Sequence, residues 1–362
     1  MDKPLLTFAI AAFNQEAFIR EAVEAAFAQN YSPLEIVLSD DCSRDRTFEI
    51  IQEMAAAYRG PHRLILNRNP SQLSIGGHIN RIVEVSRGEL IVGAAGDDIS
   101  LPDRTQAAFE AWEQSGRKAT SIFSDYVQID ENGNRIGKLL ESERTEIATS
   151  GPVEEKADAL SYLETLQPLV FGCAHSFSRQ LFRTFGNLPN QIIHEDNALA
   201  LRSVLIGKLI HIRRPLVKYR VHGNNIYIRN RDRTADLKAL KRQEDWLRRN
   251  FANREIMYQG FLLDLECARR KGIIGREAFD KGCALAARKR FRFARQKQFL
   301  TSSIFGKCRL LIGLWRDGLD QKDKSMLLRR LLPQSILLSS RLIAGYGAVA
   351  FRRVLKPRPS SV

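Results

Sequence analysis

Over the first hundred residues, strand-length apolar runs alternate with stretches of helical apolar spacing, and nothing else in the chain constrains its fold as strongly. Residues 5–12 form an apolar run; residues 16–29 space Phe18, Ala22, Ala25 and Ala26 as one helix face would; residues 35–39 form a second run that ends in Asp40-Asp41. The pattern repeats with a helix over 45–58 (Phe48, Ile51, Met54), a short strand at 63–66, a helix over 77–87 and a strand at 89–94. Such alternation predicts an α/β protein with a mostly parallel, doubly wound central sheet, whose ligands bind at the carboxyl ends of the strands. Three polar clusters fall at such ends: Phe13-Asn14, Asp40-Asp41 and Gly96-Asp97-Asp98. Their convergence on one rim points to a binding site more than three unrelated helix caps would.

Asp97 and Asp98 are adjacent carboxylates at the end of a buried strand, costly to place together unless a cation neutralises them. Mg²⁺ and Mn²⁺ are hard cations that accept one or two protein carboxylates and fill their remaining positions with substrate phosphates and water. The pair therefore suggests a site for a nucleotide diphosphate and its divalent metal. A purely structural alternative stays open, because acidic residues also favour the start of a helix and Pro102 opens one.

The 362 residues suffice for one large α/β domain with an appendage, or for two domains. The net charge of +15 is unevenly distributed: residues 1–100 carry 9 Lys/Arg against 14 Asp/Glu, and residues 231–362 carry 31 against 12. That step, together with Asn224, Asn225, Asn230 and the charged run 229–233, predicts a boundary near residue 230, dividing the chain into 1–230 and a basic region 231–362. Five scattered cysteines without C-x-x-C spacing exclude a disulfide framework and a zinc site of that kind, and fit a reducing compartment. The apolar stretch 5–13 is too short and wrongly flanked for a signal peptide or a membrane span, so a cytoplasmic location is expected.

With these motifs in order, the chain resembles glycosyltransferase family 2. The resemblance rests on Ala12-Phe13-Asn14, on the run from Ser39 through Asp41 to Thr47, on Arg87-Gly88-Glu89 leading into Gly96-Asp97-Asp98, on His194-Glu195-Asp196, and on Tyr219-Arg220-Val221-His222. It implies a GT-A fold, Rossmann-like, followed here by the basic helical C-terminal region. It also implies that Phe13 and Asn14 flank the nucleotide base and that Asp41 accepts a hydrogen bond from the pyrimidine ring. Asp98 becomes the main metal ligand and Asp97 addresses the ribose or the metal. Many relatives carry a further Asp two positions before the pair, where this chain has Ala95, so coordination leans on Asp98. Relatives also place a histidine near the diphosphate and sometimes on the metal, which assigns His222 there, while Arg220 either contacts phosphate or forms a salt bridge within the domain.

Further along, residues 119–129 read as a strand ending at the turn Asn132-Gly133. The small polar stretch 145–152 reads as a surface loop or a closing one. The resemblance makes His194-Glu195-Asp196 the acidic catalytic motif, with Asp196 as the base that takes a proton from the attacking hydroxyl. Favourable acidic placement at a helix N-terminus describes the same residues. A zinc motif fails, because H-E-x-x-H needs histidine where Ala198 stands.

Beyond residue 230, clustered cations alternate with Leu, Ile, Phe and Trp315, and from 281 onward there are 19 Lys/Arg against 3 Asp/Glu. Amphipathic basic helices of this kind adsorb on anionic membrane surfaces, or else pack as a solvated bundle. No stretch is long enough to span; 336–351 is interrupted by Arg341. The G-x-G-x-x-A match at 345–350 lies in a helical pattern, and nucleic acid is not the expected partner. The expectation is an inverting glycosyltransferase moving a sugar from a nucleotide diphosphate donor, UDP-linked, to a hydroxyl of a glycan or lipid-linked acceptor. A sugar-phosphate nucleotidyltransferase and a non-catalytic glycan- or membrane-binding module are the alternatives.

Overall fold

The computed structural model describes residues 3–137, 151–223, 225, 237–316, 327–328 and 331. Most of the loop expected at 145–152 lies outside the described residues, as do the charged run 229–233 and the segment 336–351 with its glycine motif.

Strand and helix alternate through the first half: β1 (Leu6–Ala12), α1 (Ile19–Phe27), β2 (Leu34–Asp40), α2 (Thr47–Ala57), β3 (Arg63–Arg68), α3 (Ser74–Val85), β4 (Leu90–Ala95), β5 (Ile99–Ser100), α4 (Arg104–Gln114) and β6 (Ala119–Ile129). Then follow β7 (Arg135–Ile136), β8 (Val153–Glu155), α5 (Ala159–Thr165), β9 (His175–Ser178), α6 (Gln180–Phe185), α7 (Glu195–Ile206) and β10 (Lys208–Arg220). Three helices close the described chain: α8 (Leu237–Arg270), α9 (Arg276–Thr301) and α10 (Ile304–Arg316).

All ten strands belong to one sheet with the path β3-β2-β1-β4-β9-β6-β10-β5, while β7 pairs with β6 and β8 with β10. The segment from β3 to β4 is parallel throughout, and β10 runs parallel to β6. β1 and β2 read as unbroken apolar runs because helices cover both faces of a parallel sheet, and Phe8, Ile10, Ile36 and Leu38 are fully buried. From α1, Ile19, Val23 and Ala26 complete that core, with Trp112 of α4 and Ile210 of β10 at its far side.

The fold class expected from the sequence is the one observed, with one addition. β9 is a strand of four residues lying antiparallel between β4 and β6, with Val92 opposite Ser176 and Phe123 opposite His175. It is too short to show an alternating pattern of its own, and the sequence reading passed over it. Because it is antiparallel, its amino end lies at the same rim as the carboxyl end of β4. The residues just before it, the short 3-10 turn Gly172–Ala174, are thereby delivered to the functional rim.

By contact density the chain forms two units, Met1–Ile228 with Ile256–Arg288, and Arg229–Glu255 with Lys289–Val362. In the first, the helical segment is tied to the domain by Arg202, whose guanidinium makes two bonds of 2.9 Å to Asp264 and donates to the carbonyls of Gly186 and Asn187. In the second, Phe251 and Phe293 pack at 6.4 Å and Arg254 lies over the Phe293 ring. Leu247, Phe299, Leu311 and Leu314 are buried there.

Candidate active site

The rim is built from the loops that follow β1, β2, β4 and β10 and from the turn that precedes β9. After β1, Asn14 adopts a left-handed backbone with φ 52°, which asparagine tolerates. Its N–H donates to Ser43 Oγ at 2.8 Å, and its side-chain oxygen accepts from the N–H of Arg44 at 2.9 Å. The first two loops are thus laced together, with Phe13 half-buried and Asn14 exposed at the seam.

After β2, two buried carboxylates part company. Asp40 accepts from the N–H of Ser43 at 2.9 Å and pairs with Arg68, which is the turn-holding role open to it from the sequence. Asp41 is also buried, yet only Oδ1 has partners among the hydrogen bonds described: Asn69 Nδ2 at 2.8 Å and the N–H of Leu73 at 2.9 Å.

After β4, Asp98 is buried and accepts from the N–H of Arg220 at 2.8 Å through Oδ1. Its Oδ2 is buried with no hydrogen-bond partner. Burial, and then the neighbouring Asp97 carboxylate, push the Asp98 carboxyl well above its ordinary value. Asp97 itself is held by His222, with Nε2 2.9 Å from Oδ2, and the His222 ring packs against Phe18 at 4.8 Å between centroids. As they stand, Asp97, Asp98 and His222 do not form the ligand trio anticipated from the sequence. Among the described residues no three His, Cys, Asp or Glu side chains are arranged as ready metal ligands.

Of the two roles open to Arg220, the structure shows the salt bridge within the domain and not the phosphate contact: its side chain is fully buried and its nitrogens are committed to protein acceptors, Asp97 O at 3.0 Å, Glu131 O at 2.9 Å and Glu21 Oε2 at 3.0 Å. Phe18 lies under the guanidinium at 4.9 Å. A buried guanidinium satisfies its fork before anything else, so Arg220 fastens the β10 end to the acidic loop.

Glu195 and Asp196 open α7. Asp196 is buried, and its Oδ1 accepts from the backbone and side chain of Asn197 at 2.7 and 2.9 Å. The backbone N–H of Gly172 also donates to it. Burial outweighs these bonds and raises its pKa from 3.8 to about 6. Burial and Asp196 push Glu195 well above the usual carboxylate range, and Glu195 Oε2 is buried with no partner. A Cβ on Gly172 would come within 2.5 Å of Glu195 Oε1, so a larger residue there would displace the Glu195 carboxyl.

The two acidic motifs meet electrostatically at that turn. Burial drives the Cys173 thiol well above its ordinary pKa; the Asp98 carboxylate adds to this, and Asp97 and Asp196 do so more weakly, while Arg104 opposes them. Arg104 is itself buried, bonded to Ser100 Oγ at 2.8 Å and to the Gly93 carbonyl. Tyr219 and Tyr126, with ring centroids 5.5 Å apart, also feel Asp98 and Cys173, and Phe171 packs edge-on against Tyr126 at 5.1 Å. Tyr219 belongs to one of the motifs that carry the family resemblance, whereas Tyr126 stood in the sequence only as part of a strand. His175, by contrast, is a structural histidine: Nε2 meets Ser121 Oγ at 2.8 Å, and burial holds its pKa down to about 3.

Comparison with known proteins accords with this geometry. Residues 7–185 match the family described as Glycosyl transferase family 2. An uncharacterized glycosyltransferase of Methanocaldococcus jannaschii is 32% identical over 136 residues, covering 37% of this chain and 46% of that protein. The succinoglycan biosynthesis protein ExoO of Rhizobium meliloti is 34% identical over 135 residues, 37% of this chain and 37% of that one. The chain thus spans no more than about half the length of these relatives. Among solved structures, S. aureus TarS 1-349 is similar with a TM-score of 0.55 at 14% identity, covering 99% of this chain and 94% of that chain, a likeness of fold. With a mixed sheet of this order, acidic clusters at its carboxyl rim and the family match, residues 7–185 of the chain form a glycosyltransferase family 2 domain.

Proposed function

We propose that this protein transfers a sugar from a UDP-linked donor to a hydroxyl of a glycan or lipid-linked acceptor, with inversion at the anomeric carbon. The observation that carries this reading is the buried Asp98 carboxylate at the carboxyl rim of the sheet, with one oxygen fixed by the Arg220 N–H at 2.8 Å and the other without a partner. Asp98 then serves the donor side, and Asp196, buried at the start of α7, serves as the proton acceptor that single displacement requires.

In this reading Phe13 and Asn14 flank the base. Asp41 receives a ring N–H on Oδ2, because Oδ1 is occupied by Asn69 and Leu73. One available acceptor oxygen suits uracil, which offers a single ring N–H; guanine would present two adjacent donors to a carboxylate. Asp98 fits a divalent cation, Mg²⁺ or Mn²⁺: its second oxygen is buried without a partner, and a carboxyl so strongly raised gains most from a neighbouring positive charge. Asp98 would hold such a cation, which would supply positive charge to the departing diphosphate. Asp97, fixed by His222, lies beside the ribose or the cation's water. Asp196 takes the acceptor proton as the acceptor oxygen bonds to the anomeric carbon and the bond to the β-phosphate oxygen breaks, releasing UDP. Burial and the Asp196 charge raise the Glu195 carboxyl, which opposes a second negative charge beside the base.

The acceptor class follows the relative named for succinoglycan biosynthesis, and the basic C-terminal region suits work at an anionic membrane surface on the cytoplasmic side. No helix among the described residues is long and apolar enough to cross a membrane. The test is thermal shift with UDP-, GDP- and dTDP-sugars, with and without Mn²⁺, followed by analysis of the released nucleotide. UDP-sugar stabilisation that needs Mn²⁺, with UDP as product, supports the reading. Pyrophosphate as product would instead mean nucleotidyl transfer, and binding without turnover on any acceptor would mean a non-catalytic module.

A further inference from the structure

Helix α10 leaves an apolar stripe uncovered. Phe305 is 86% exposed and Ile312 58% exposed, and the exposed Cys308 lies between them. Positions 305, 308 and 312 share one helix face, while Leu311 and Leu314 are buried on the other. Single exposed apolar side chains need no account; three in helical register form a surface. Phe291 of α9, 58% exposed, is a further uncovered ring, with the Arg295 guanidinium 5.3 Å above it.

The charge around this stripe selects its partner. From Lys289 to Arg316 the chain has eight Lys/Arg and no Asp/Glu, and Arg309 is exposed beside Cys308. A second copy of the same face would bring two such cationic segments together, which opposes self-association through it. A nucleic acid would meet the cations but has no use for an Ile312 and Cys308 surface. An anionic lipid surface satisfies both, phosphate headgroups for the cations and acyl chains for the stripe.

We propose that α10 lies in the plane of an anionic membrane, with Phe305, Cys308 and Ile312 entering the acyl boundary and Arg309 and its cationic neighbours among the headgroups. This deepens the membrane placement proposed above and rests on it, while the transfer chemistry is independent of it.

The experiment is co-sedimentation of the full chain with phosphatidylcholine vesicles, with and without phosphatidylglycerol, from about 0.1 to about 1 M NaCl, where screening shortens the electrostatic reach. Wild type binds the anionic vesicles and keeps a salt-resistant fraction. The double variant Phe305→Ser/Ile312→Ser loses that fraction, about tenfold at the high-salt end, with unchanged helicity and unchanged donor hydrolysis in solution. In a second measurement, Phe305→Trp is quenched by brominated acyl chains beyond the wild-type level. Four results overturn the proposal: no sedimentation with anionic vesicles at low salt, wild-type binding by the double variant at high salt, no added quenching at position 305, or a dimer that the double variant converts to monomer. Duplex DNA binding that persists at salt where vesicles are released would assign the surface to nucleic acid instead. Absent donor hydrolysis with this vesicle pattern intact would sink the transferase reading alone.

Discussion

The backbone N–H of Arg220 donates to Oδ1 of Asp98 across 2.8 Å, joining the end of β10 to the end of β4 over 122 residues of sequence. One oxygen of that carboxylate is thereby fixed by the protein, and the other is buried without a partner. A group left in this state destabilises the protein by itself and becomes useful when a cation arrives.

Asp98→Asn is therefore expected to act in opposite directions on stability and function. Removing a carboxyl whose pKa burial and Asp97 raise should increase the thermal midpoint of the nucleotide-free protein at neutral pH. Mn²⁺-dependent UDP binding should weaken by at least about 100-fold, the upper range for losing even a group that supports a metal ligand. Calorimetry with UDP, with and without Mn²⁺, checks both; unchanged affinity in the variant would remove Asp98 from this role.

The rate should depend on pH through Asp196. Its pKa rises on folding from 3.8 to about 6, so between those values the folded state binds more protons than the unfolded one. The stability contributed by protonation is fully present below about pH 4 and lost as pH rises through about 6. A base must be ionised, so turnover runs the other way and falls about tenfold per unit below pH 6. Because Glu195 titrates with it, the acidic limb belongs to the pair. Asp196→Asn should lower kcat by about 10²–10⁴ with the donor KM nearly unchanged, and should abolish that limb. A near-wild-type kcat on the true acceptor would return Asp196 to a helix-capping role.

Gly172→Ala tests whether the turn before β9 positions the acids. The new Cβ would meet Glu195 Oε1 at 2.5 Å, so either the turn or the carboxyl must shift. A loss of about 1–3 kcal/mol in stability is expected from such overpacking, with a fall in kcat and little change in UDP affinity. Gly133→Ala is the contrasting variant: φ there is +83° with nothing within 4 Å, so it should cost stability alone.

Arg220→Lys keeps the charge and loses the fork. Bonds to Asp97 O and Glu131 O cannot all be remade by one ammonium, and about 1–3 kcal/mol should be lost to buried acceptors left unpaired. UDP affinity should fall with it, since the loop bearing Asp97 and Asp98 loses its clasp. Glu21→Gln, which alters only the partly exposed end of the arrangement, should change the thermal midpoint little. Equal effects of the two variants would argue against the clasp.

The parallel half of the sheet was legible because buried strands and amphipathic helices differ in period and length, as β1, β2 and α2 illustrate. Residues 119–129 were marked as a strand to the residue. What escaped were elements whose stability is wholly tertiary: β9 and the two-residue β5 are too short to show a period, and they exist through pairing with β4, β6 and β10. Within the site, the strand-end acids stood out because charge is rare after an apolar run. The choice between phosphate contact and salt bridge stayed open for Arg220 because its sequence neighbours do not reveal that Asp97, Glu131 and Glu21 converge on it. That Gly172 packs against Glu195 was not legible from spacing, since it stands before a strand too short to show a period.

The reversed direction of β9 divides the labour of the rim in a way that bears on how such a domain can diversify. The loops after β1, β2 and β4 are continuous with the parallel strands, so a change in their length pulls on the register of the sheet that holds the donor side. The chain entering β9 arrives from outside, and its pairing begins only at His175. Insertions or replacements ahead of Gly172 can therefore alter the turn that meets Glu195 while leaving the parallel ladders of β1 to β4 intact. Under the proposed function, such changes fall on the acceptor side and leave the donor-binding ends of β1, β2 and β4 as they are.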